Sequence, residues 1–91
     1  MWEALFSKDA LKQLEVLDKE IASILKSKIK NLLNWLNNTE ELAIDFKKLH
    51  GRWKDCYRIK AGRIRVLISL DKSKKQIKIH DIGFRGDIYK K

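Results

Sequence analysis

The chain has 91 residues, of which 44% are hydrophobic, and its net charge is +9, with 21 basic and 12 acidic side chains. This composition excludes global disorder, and we expect one small domain over residues 1–91. The single cysteine, Cys56, excludes an internal disulfide, and the lack of a membrane-length apolar run or a signal-peptide pattern predicts a cytoplasmic protein without a membrane partner.

The N-terminal half predicts one strand followed by helices. Residues 2–6 are mostly apolar, which is typical of a short strand, and Ser7 then offers a helix N-cap. From Leu11 onwards the apolar residues follow helical spacing. One helix of about 30 residues would span roughly 45 Å, too long for a core of this size. We therefore expect a break near residues 18–20 and two antiparallel helices, the second ending at Asn37.

The C-terminal half predicts a sheet. Residues 39–53 follow no period, so we expect irregular chain there with at most a short helical turn at its start. Beyond Gly51, apolar and polar residues alternate in three runs, which predicts three antiparallel strands. Ala61 and Gly62 separate the first two runs and predict a two-residue hairpin loop. The predicted fold class is α+β, in the order β-α-α-β-β-β, with a two-helix hairpin on one face of an antiparallel sheet.

The positive charge is concentrated in the second half of the chain. Residues 1–46 carry six lysines and eight acids, whereas residues 47–91 carry fifteen basic side chains and four aspartates. All the arginines lie in this second half. Because the planar guanidinium group binds phosphates and carboxylates in a bidentate manner, this favours a polyanionic partner. A solvated lysine-rich surface would explain the lysines but not the position of the arginines.

The predicted hairpin loop brings like charges together. It places Arg58 opposite Arg65 and Lys60 opposite Arg63, on the face away from the apolar residues. Opposed like charges destabilise a sheet by up to about 1 kcal/mol each, and a bound anion would offset this repulsion.

Two alternatives require no ligand at this hairpin. The cations could diverge into solvent, or acidic side chains such as Glu15 or Asp45 could pair with them. In either case the opposed cations would have a purely structural explanation.

Two segments resemble the RelE/ParE toxin superfamily of type II toxin–antitoxin systems. Residues 49–67, with the sequence LHGRWKDCYRIKAGRIRVL, resemble the family's leucine-x-glycine, tyrosine-arginine-isoleucine and glycine-x-x-arginine-valine pattern. Residues 82–89, IGFRGDIY, resemble the family's ending of histidine-arginine, two residues, an aliphatic residue and tyrosine. The resemblance implies a RelE-like fold, and within the superfamily it favours the RelE-like mRNA interferases.

The resemblance also implies a set of site residues. The family's catalytic positions correspond to Arg58, Lys60, Arg65, Arg85 and Tyr89. Two departures are present, because Phe84 stands where many members have histidine and Arg58 where lysine is common. The ParE branch shares the fold, acts on DNA gyrase and lacks the full cationic set, so retention of these positions favours the nuclease branch.

These side chains suit metal-independent cleavage of RNA. The 2′-hydroxyl attacks the adjacent phosphorus, which requires a base, charge stabilisation and protonation of the leaving 5′-oxygen. Lys60 is the candidate base, because neighbouring cations favour a neutral amine whereas arginine keeps its proton. Arg58 and Arg65 would hold the phosphate. Arg85 would stabilise or protonate the leaving oxygen, and Tyr89 would stack on or orient a base, so we expect no metal ion and no cofactor.

Further side chains are expected to contact RNA around this site. Trp53 lies between two basic residues, and the turn at residues 71–75 carries lysines suited to the ribosomal RNA backbone. Together with a hairpin arginine, the predicted RNA-binding residues are Arg52, Trp53, Lys54, Arg63, Lys72, Lys74 and Lys75.

Other candidate residues have structural interpretations. His80 could be an auxiliary acid on the cationic face, although an ordinary surface histidine fits the pattern better. We expect His50 to be structural and Cys56 to be a small filler rather than a nucleophile. Asp81 and Asp87 are too isolated to indicate a metal site.

The sequence therefore predicts a toxin that cleaves mRNA in the ribosomal A site and inhibits translation. The resemblance implies the ribosome and mRNA as partners, and a basic toxin implies an acidic antitoxin that binds it in a hetero-oligomer. Two alternatives remain, namely a ParE-like gyrase inhibitor without nuclease activity and an inactive basic RNA-binding module.

Overall fold

The computed structural model describes residues 1–51 and 55–84. In chain order the elements are β1 (Glu3–Phe6), α1 (Lys8–Glu15), α2 (Lys19–Leu36), β2 (Asp45–Lys48), β3 (Cys56–Ala61), β4 (Ile64–Asp71) and β5 (Gln76–Phe84). The five strands form one sheet in the order β1-β5-β4-β3-β2, and both helices contribute to the apolar core on one of its faces. The predicted α+β class is confirmed.

The predicted N-terminal strand and helix break are confirmed, and two side-chain caps explain the boundaries. The Ser7 hydroxyl accepts a hydrogen bond from the Ala10 amide at 3.0 Å and donates one to the His80 carbonyl at 2.8 Å, which ties the start of α1 to β5. The Asp18 carboxylate accepts a hydrogen bond from the Glu20 amide at 2.9 Å and starts α2. A short N-capping side chain is therefore enough to break the helical pattern.

The first strand adds one parallel pair to the sheet that we predicted to be antiparallel. β1 pairs with β5 in parallel, whereas the other neighbouring strands are antiparallel. A parallel pair needs a long crossover connection, which the two helices and the intervening strands supply here. Within the described chain, neither helix is long and apolar enough to cross a membrane.

An additional edge strand, β2, lies where we expected irregular chain or a short helical turn. It pairs with β3, and its Phe46 ring stacks on Tyr57 with centroids 4.7 Å apart. The loop before it is held by Asn31, whose side chain accepts a hydrogen bond from the Ala43 amide at 2.8 Å and donates one to the Glu41 carbonyl at 3.0 Å. The strand is therefore determined by contacts that are distant in sequence.

The loop of the β3–β4 hairpin consists of Gly62 and Arg63, not of Ala61 and Gly62 as predicted. Gly62 has a φ of +62°, and it occupies the first loop position. A residue without a Cβ adopts this conformation at no steric cost, whereas Ala61 at that position would be strained. The two strands are therefore shifted by two residues relative to the predicted register.

This shift changes the partners but not the faces. Lys60 lies opposite Arg65, and Arg58 lies opposite Leu67, so the predicted pairs Arg58–Arg65 and Lys60–Arg63 are wrong. Because side chains alternate with a period of two, a slide of two residues keeps each of them on its predicted face.

The core lies between the helices and one face of the sheet. Each fully buried leucine or isoleucine contributes about 1.5–3 kcal/mol of burial free energy. The core residues come from both helices and the three central strands, and they are Ala10, Leu25, Ile29, Leu32, Ile59, Ala61, Ile64, Val66, Ile68, Ile77, Ile79 and Ile82.

The edge of β5 beyond the end of β1 is closed by one side chain of α1. The Gln13 amide oxygen accepts a hydrogen bond from the Ile82 amide at 2.7 Å, and its NH₂ group donates one to the Asp81 carboxylate. Ile82 and Asp81 are both 2% exposed. Gln13 thus continues the strand pairing after β1 has ended.

We expect the Gln13→Ala substitution to lower the free energy of unfolding by about 1–3 kcal/mol, because it removes two hydrogen bonds to buried groups. Chemical denaturation measures this change. Gln76→Ala is the matched control, because among the described residues the Gln76 side chain bonds the exposed Glu3 carboxylate alone, at 3.3 Å, and its loss should cost less than about 0.5 kcal/mol. Equal losses for the two variants would contradict the edge-closing role.

Candidate functional site

The face of the sheet opposite the core carries a cluster of cations on three adjacent strands. In one row across the sheet Lys60 lies between Asp45 of β2 and Arg65 of β4, and in the neighbouring row Lys47 of β2 lies opposite Arg58. We call the four basic residues of these rows the cationic cluster. Each row thus contains one directly opposed pair of like charge, with different partners from those that we predicted, and Asp45 offsets part of the repulsion.

The cluster lines an open pocket of about 430 Å³. Arg58, Lys60 and Arg65 form its floor from β3 and β4, and the end of β2 and the residues after it form its wall. The structure therefore brings together the three predicted catalytic cations of the hairpin. The wall residues, which the sequence analysis did not identify as part of the site, are Lys47, Lys48, Leu49 and His50.

A second pocket of about 440 Å³ lies at the tip of the hairpin. Lys60 and Arg65 line this pocket as well, together with Gly62, Arg63 and Phe84. The two pockets therefore have Lys60 and Arg65 in common.

Arg65 is the most constrained cation of the cluster. It is 6% exposed, and its Nη1 group donates hydrogen bonds to the Gly62 carbonyl at 2.7 Å and the Ile64 carbonyl at 3.2 Å. These bonds leave its Nε and Nη2 groups without a partner among the described residues. A buried charge is costly unless a counter-charge compensates it, and no acid in residues 1–51 or 55–84 forms an ion pair with Arg65. The site is therefore suited to an anion.

Arg58 has a protein partner. Its Nη2 atom lies 3.1 Å from the Asp45 Oδ1 atom, and the side chains are 15% and 51% exposed respectively. The acid pairing that we considered as an alternative thus applies to Arg58. Asp45 also lies opposite Lys60 in the β2–β3 register but forms its ion pair with Arg58, and no ion pair of Arg65 occurs within the described part of the chain. Because the Asp45 carboxylate is half exposed, this ion pair is weak and a phosphate could replace it.

His80 does not line either pocket of the cationic cluster. It is the extra residue of a β-bulge, because Ile79 pairs with Ile68 and Asp81 pairs with Leu67. Its Nε2 atom lies 2.7 Å from the Ser69 hydroxyl, and partial burial, together with the charge of Lys78, lowers its pKa. The structure thus favours the interpretation of His80 as a surface histidine over an auxiliary acid.

Cys56 lies on the cationic face, as predicted, but it is not activated. Burial and the nearby Asp55 carboxylate raise the pKa of its thiol, so the nucleophilic thiolate is disfavoured. This agrees with its interpretation as a small filler.

The remaining predicted site residues are separated from the cluster or lie outside the described residues. Lys72, Lys74 and Lys75 occupy the β4–β5 turn, at the opposite end of the eight-residue β4 from Arg65, which is a distance of roughly 20 Å. The predicted site residues outside the described ranges are Arg52, Trp53, Lys54, Arg85 and Tyr89.

A larger pocket, of about 540 Å³, lies between α2 and the loop that follows it. Its polar groups already bond one another, because the Asn31 and Asn34 amides donate to the Glu40 carboxylate at 3.1 and 3.0 Å. These bonds lower the pKa of Glu40. They hold the loop in place and make this pocket a structural feature.

Solved toxin structures are similar to this fold. A chain of the RelB–RelE antitoxin–toxin complex from Methanococcus jannaschii is 27% identical, with a TM-score of 0.72 over 93% of this chain and 94% of that chain. A chain of the RelE–RelB complex from Pyrococcus horikoshii is 28% identical, with a TM-score of 0.72 over 93% and 96%. The isolated RelE toxin from E. coli is 26% identical, with a TM-score of 0.69 over 98% and 92%.

The sequence comparison identifies the family. No curated protein sequence matches the chain significantly. Residues 4–89 match the model of the family described as the ParE toxin of the type II toxin–antitoxin system parDE. The chain therefore belongs to the ParE toxin family, within the RelE/ParE superfamily of type II toxin–antitoxin toxins.

Proposed function

We propose that this toxin is an endoribonuclease that cleaves mRNA in the ribosomal A site without a metal ion and thereby inhibits translation. One observation carries the proposal, namely the position of Lys60 opposite a buried Arg65 that has no acidic partner among the described residues. An RNA phosphate between the two pockets would supply the missing counter-charge.

The proposed reaction uses each member of the cluster for a separate task. Lys60 accepts the proton of the 2′-hydroxyl while the 2′-oxygen forms a bond to phosphorus and the bond to the 5′-oxygen breaks. Arg65 donates to the phosphate oxygens through Nε and Nη2, because Nη1 is already bonded to the hairpin carbonyls. The products are a 2′,3′-cyclic phosphate and a 5′-hydroxyl.

The remaining roles follow from the resemblance. Arg58 adds a second guanidinium group to the phosphate once it leaves Asp45. Arg85 stabilises or protonates the leaving oxygen, and Tyr89 stacks on or orients a base. Arg52, Trp53 and Lys54, together with Arg63 and the lysines of the β4–β5 turn, extend the contact to RNA.

The second candidate function is inhibition of DNA gyrase without cleavage. It is favoured by the match to a family described as ParE toxins. The nuclease is the better supported of the two, because the ParE branch lacks the full cationic set, whereas Arg58, Lys60 and Arg65 line one pocket here.

We also propose an acidic antitoxin as the partner. The similar chains from M. jannaschii and P. horikoshii belong to toxin–antitoxin complexes. A net charge of +9 favours a negatively charged segment, and the cationic cluster is its preferred docking surface. Toxin and antitoxin would then form a hetero-oligomer in which the cluster is covered.

We expect Lys60→Ala to lower the rate of mRNA cleavage on translating ribosomes about 10²–10⁴-fold, because it removes the general base. Arg65→Ala should lower the rate about 10²–10³-fold through loss of charge stabilisation. Primer extension on mRNA measures both rates. Lys26→Ala, on the exposed side of α2, is the charge-matched control and should cleave like the wild type.

Three outcomes would count against the nuclease assignment. Full cleavage by Lys60→Ala would remove the proposed base. DNA damage without mRNA cleavage would indicate gyrase, and RNA binding without either effect would indicate the inactive RNA-binding module. Because Arg65 is buried, its variants need a thermal unfolding control, and Arg65→Lys keeps the charge while removing the bidentate fork.

We expect Asp45→Asn to raise the affinity for single-stranded RNA by about 1.4- to 5-fold, because the exposed Asp45–Arg58 pair is worth roughly 0.2–1 kcal/mol. Fluorescence anisotropy at low salt measures the change, which should shrink as salt is added. Glu15→Gln removes the same charge from the exposed surface of α1 and serves as the control. An equal gain from both variants would show a general charge effect and no local competition at Arg58.

A further inference from the structure

Phe84 is an exposed aromatic side chain at the end of the sheet that carries the β3–β4 hairpin loop, and its strand position shares a face with Ile64. It is the last described residue of β5, pairs with Ile64 next to the hairpin loop and remains 51% exposed. It lines the second pocket with Lys60, Arg63 and Arg65. This volume, about 440 Å³, is within the range of small-ligand sites.

The other described aromatic residues have different surroundings. Phe46 and Tyr57 stack on each other, and Trp2 and Phe6 pack against the core. Trp35 is 40% exposed, but its pocket contains the carboxylates of Glu40 and Glu41. Among the described residues, Phe84 is therefore the aromatic side chain that combines an exposed ring with a cationic pocket.

We infer that Phe84 is a stacking platform for a nucleobase of the RNA, placed beside the phosphate held by Arg65. The inference rests on the proposed function. A phenyl ring offers a base an apolar π-face, and the surrounding cations hold the adjoining phosphates, which is how single-stranded nucleic acids are commonly bound. Because every base has a π-face, the platform accepts all bases and contributes affinity and position more than sequence preference.

The chemistry of phenylalanine excludes the other roles that this position could have. A phenyl ring neither exchanges a proton nor forms a strong hydrogen bond, so Phe84 cannot replace a histidine as an acid or base. Exposing half of a large apolar side chain also gives up burial free energy. Stacking of a base on the ring removes that apolar surface from water. It therefore explains both why this residue is apolar and why it is exposed.

The test compares two uncleavable strands of equal length and charge. One is a 2′-O-methyl RNA tetranucleotide, in which the 2′-oxygen cannot attack, and the other is an abasic strand with the same number of phosphates. We expect the wild type to bind the strand with bases more tightly. Phe84→Leu should reduce the affinity for that strand about 5- to 100-fold and leave binding of the abasic strand unchanged.

Two further variants complete the experiment. Phe84→Trp should retain the preference for bases, and the strand with bases should quench its fluorescence more strongly than that of the wild type, whose Trp53 is itself a predicted RNA contact. Trp35→Leu, at the acidic pocket, is the matched control and should behave like the wild type. If Phe84→Leu fails to fold, the difference in quenching between Phe84→Trp and the wild type decides the question.

Any of three results would contradict the proposed stacking role of Phe84. These are equal binding of both strands by the wild type, equal losses for both strands in Phe84→Leu, and no loss in that variant. Cleavage on ribosomes is measured separately. A base preference that depends on Phe84, without any cleavage, would support the stacking role and contradict the nuclease assignment. Cleavage with equal binding of both strands would support the nuclease assignment and contradict the stacking role.

Discussion

The pairing of Lys60 with Arg65 across β3 and β4 is the interaction on which the site depends. Two cations directly opposite each other oppose folding, and the conformation of Gly62 forces them into this position. The same loop presents its carbonyl to Arg65, which orients the guanidinium group and keeps it nearly buried. A tight turn therefore determines both where the positive charge lies and how it is aimed.

The remainder of the fold keeps this hairpin in place. Isoleucines on the other face of β3, β4 and β5 form one core with residues of α1 and α2, so the strands cannot slide without exposing the core. Gln13 closes the edge of β5 where β1 ends, and β2 covers the opposite side of β3. Core packing on one face thus stabilises the sheet. The charged side chains on the other face are not part of the core and are available to bind a ligand.

Much of the fold follows from local patterns, and the errors have a physical cause. The cap Ser7 marks the start of α1 in the sequence itself, helix length predicts the break that Asp18 caps, and alternation places Arg58, Lys60 and Arg65 on one face. A period of two cannot distinguish registers that differ by two residues, so the faces were predictable but the opposed partners were not. β2 contains one apolar residue and forms through pairing with β3, which no local pattern reveals. For the same reason Lys47 and His50 were missed as pocket residues.

The cationic cluster also accounts for how such a toxin could be held inactive. RNA and an acidic antitoxin segment are both polyanions, and in the proposed complex they would compete for the same cations. Within the toxin itself, the Asp45 carboxylate already forms an ion pair with Arg58 at 3.1 Å and would compete with RNA for it. Arg65 lacks an acidic partner among the described residues. A carboxylate therefore already binds one member of the cluster, and a longer acidic segment could extend the same contact to Lys60 and Arg65.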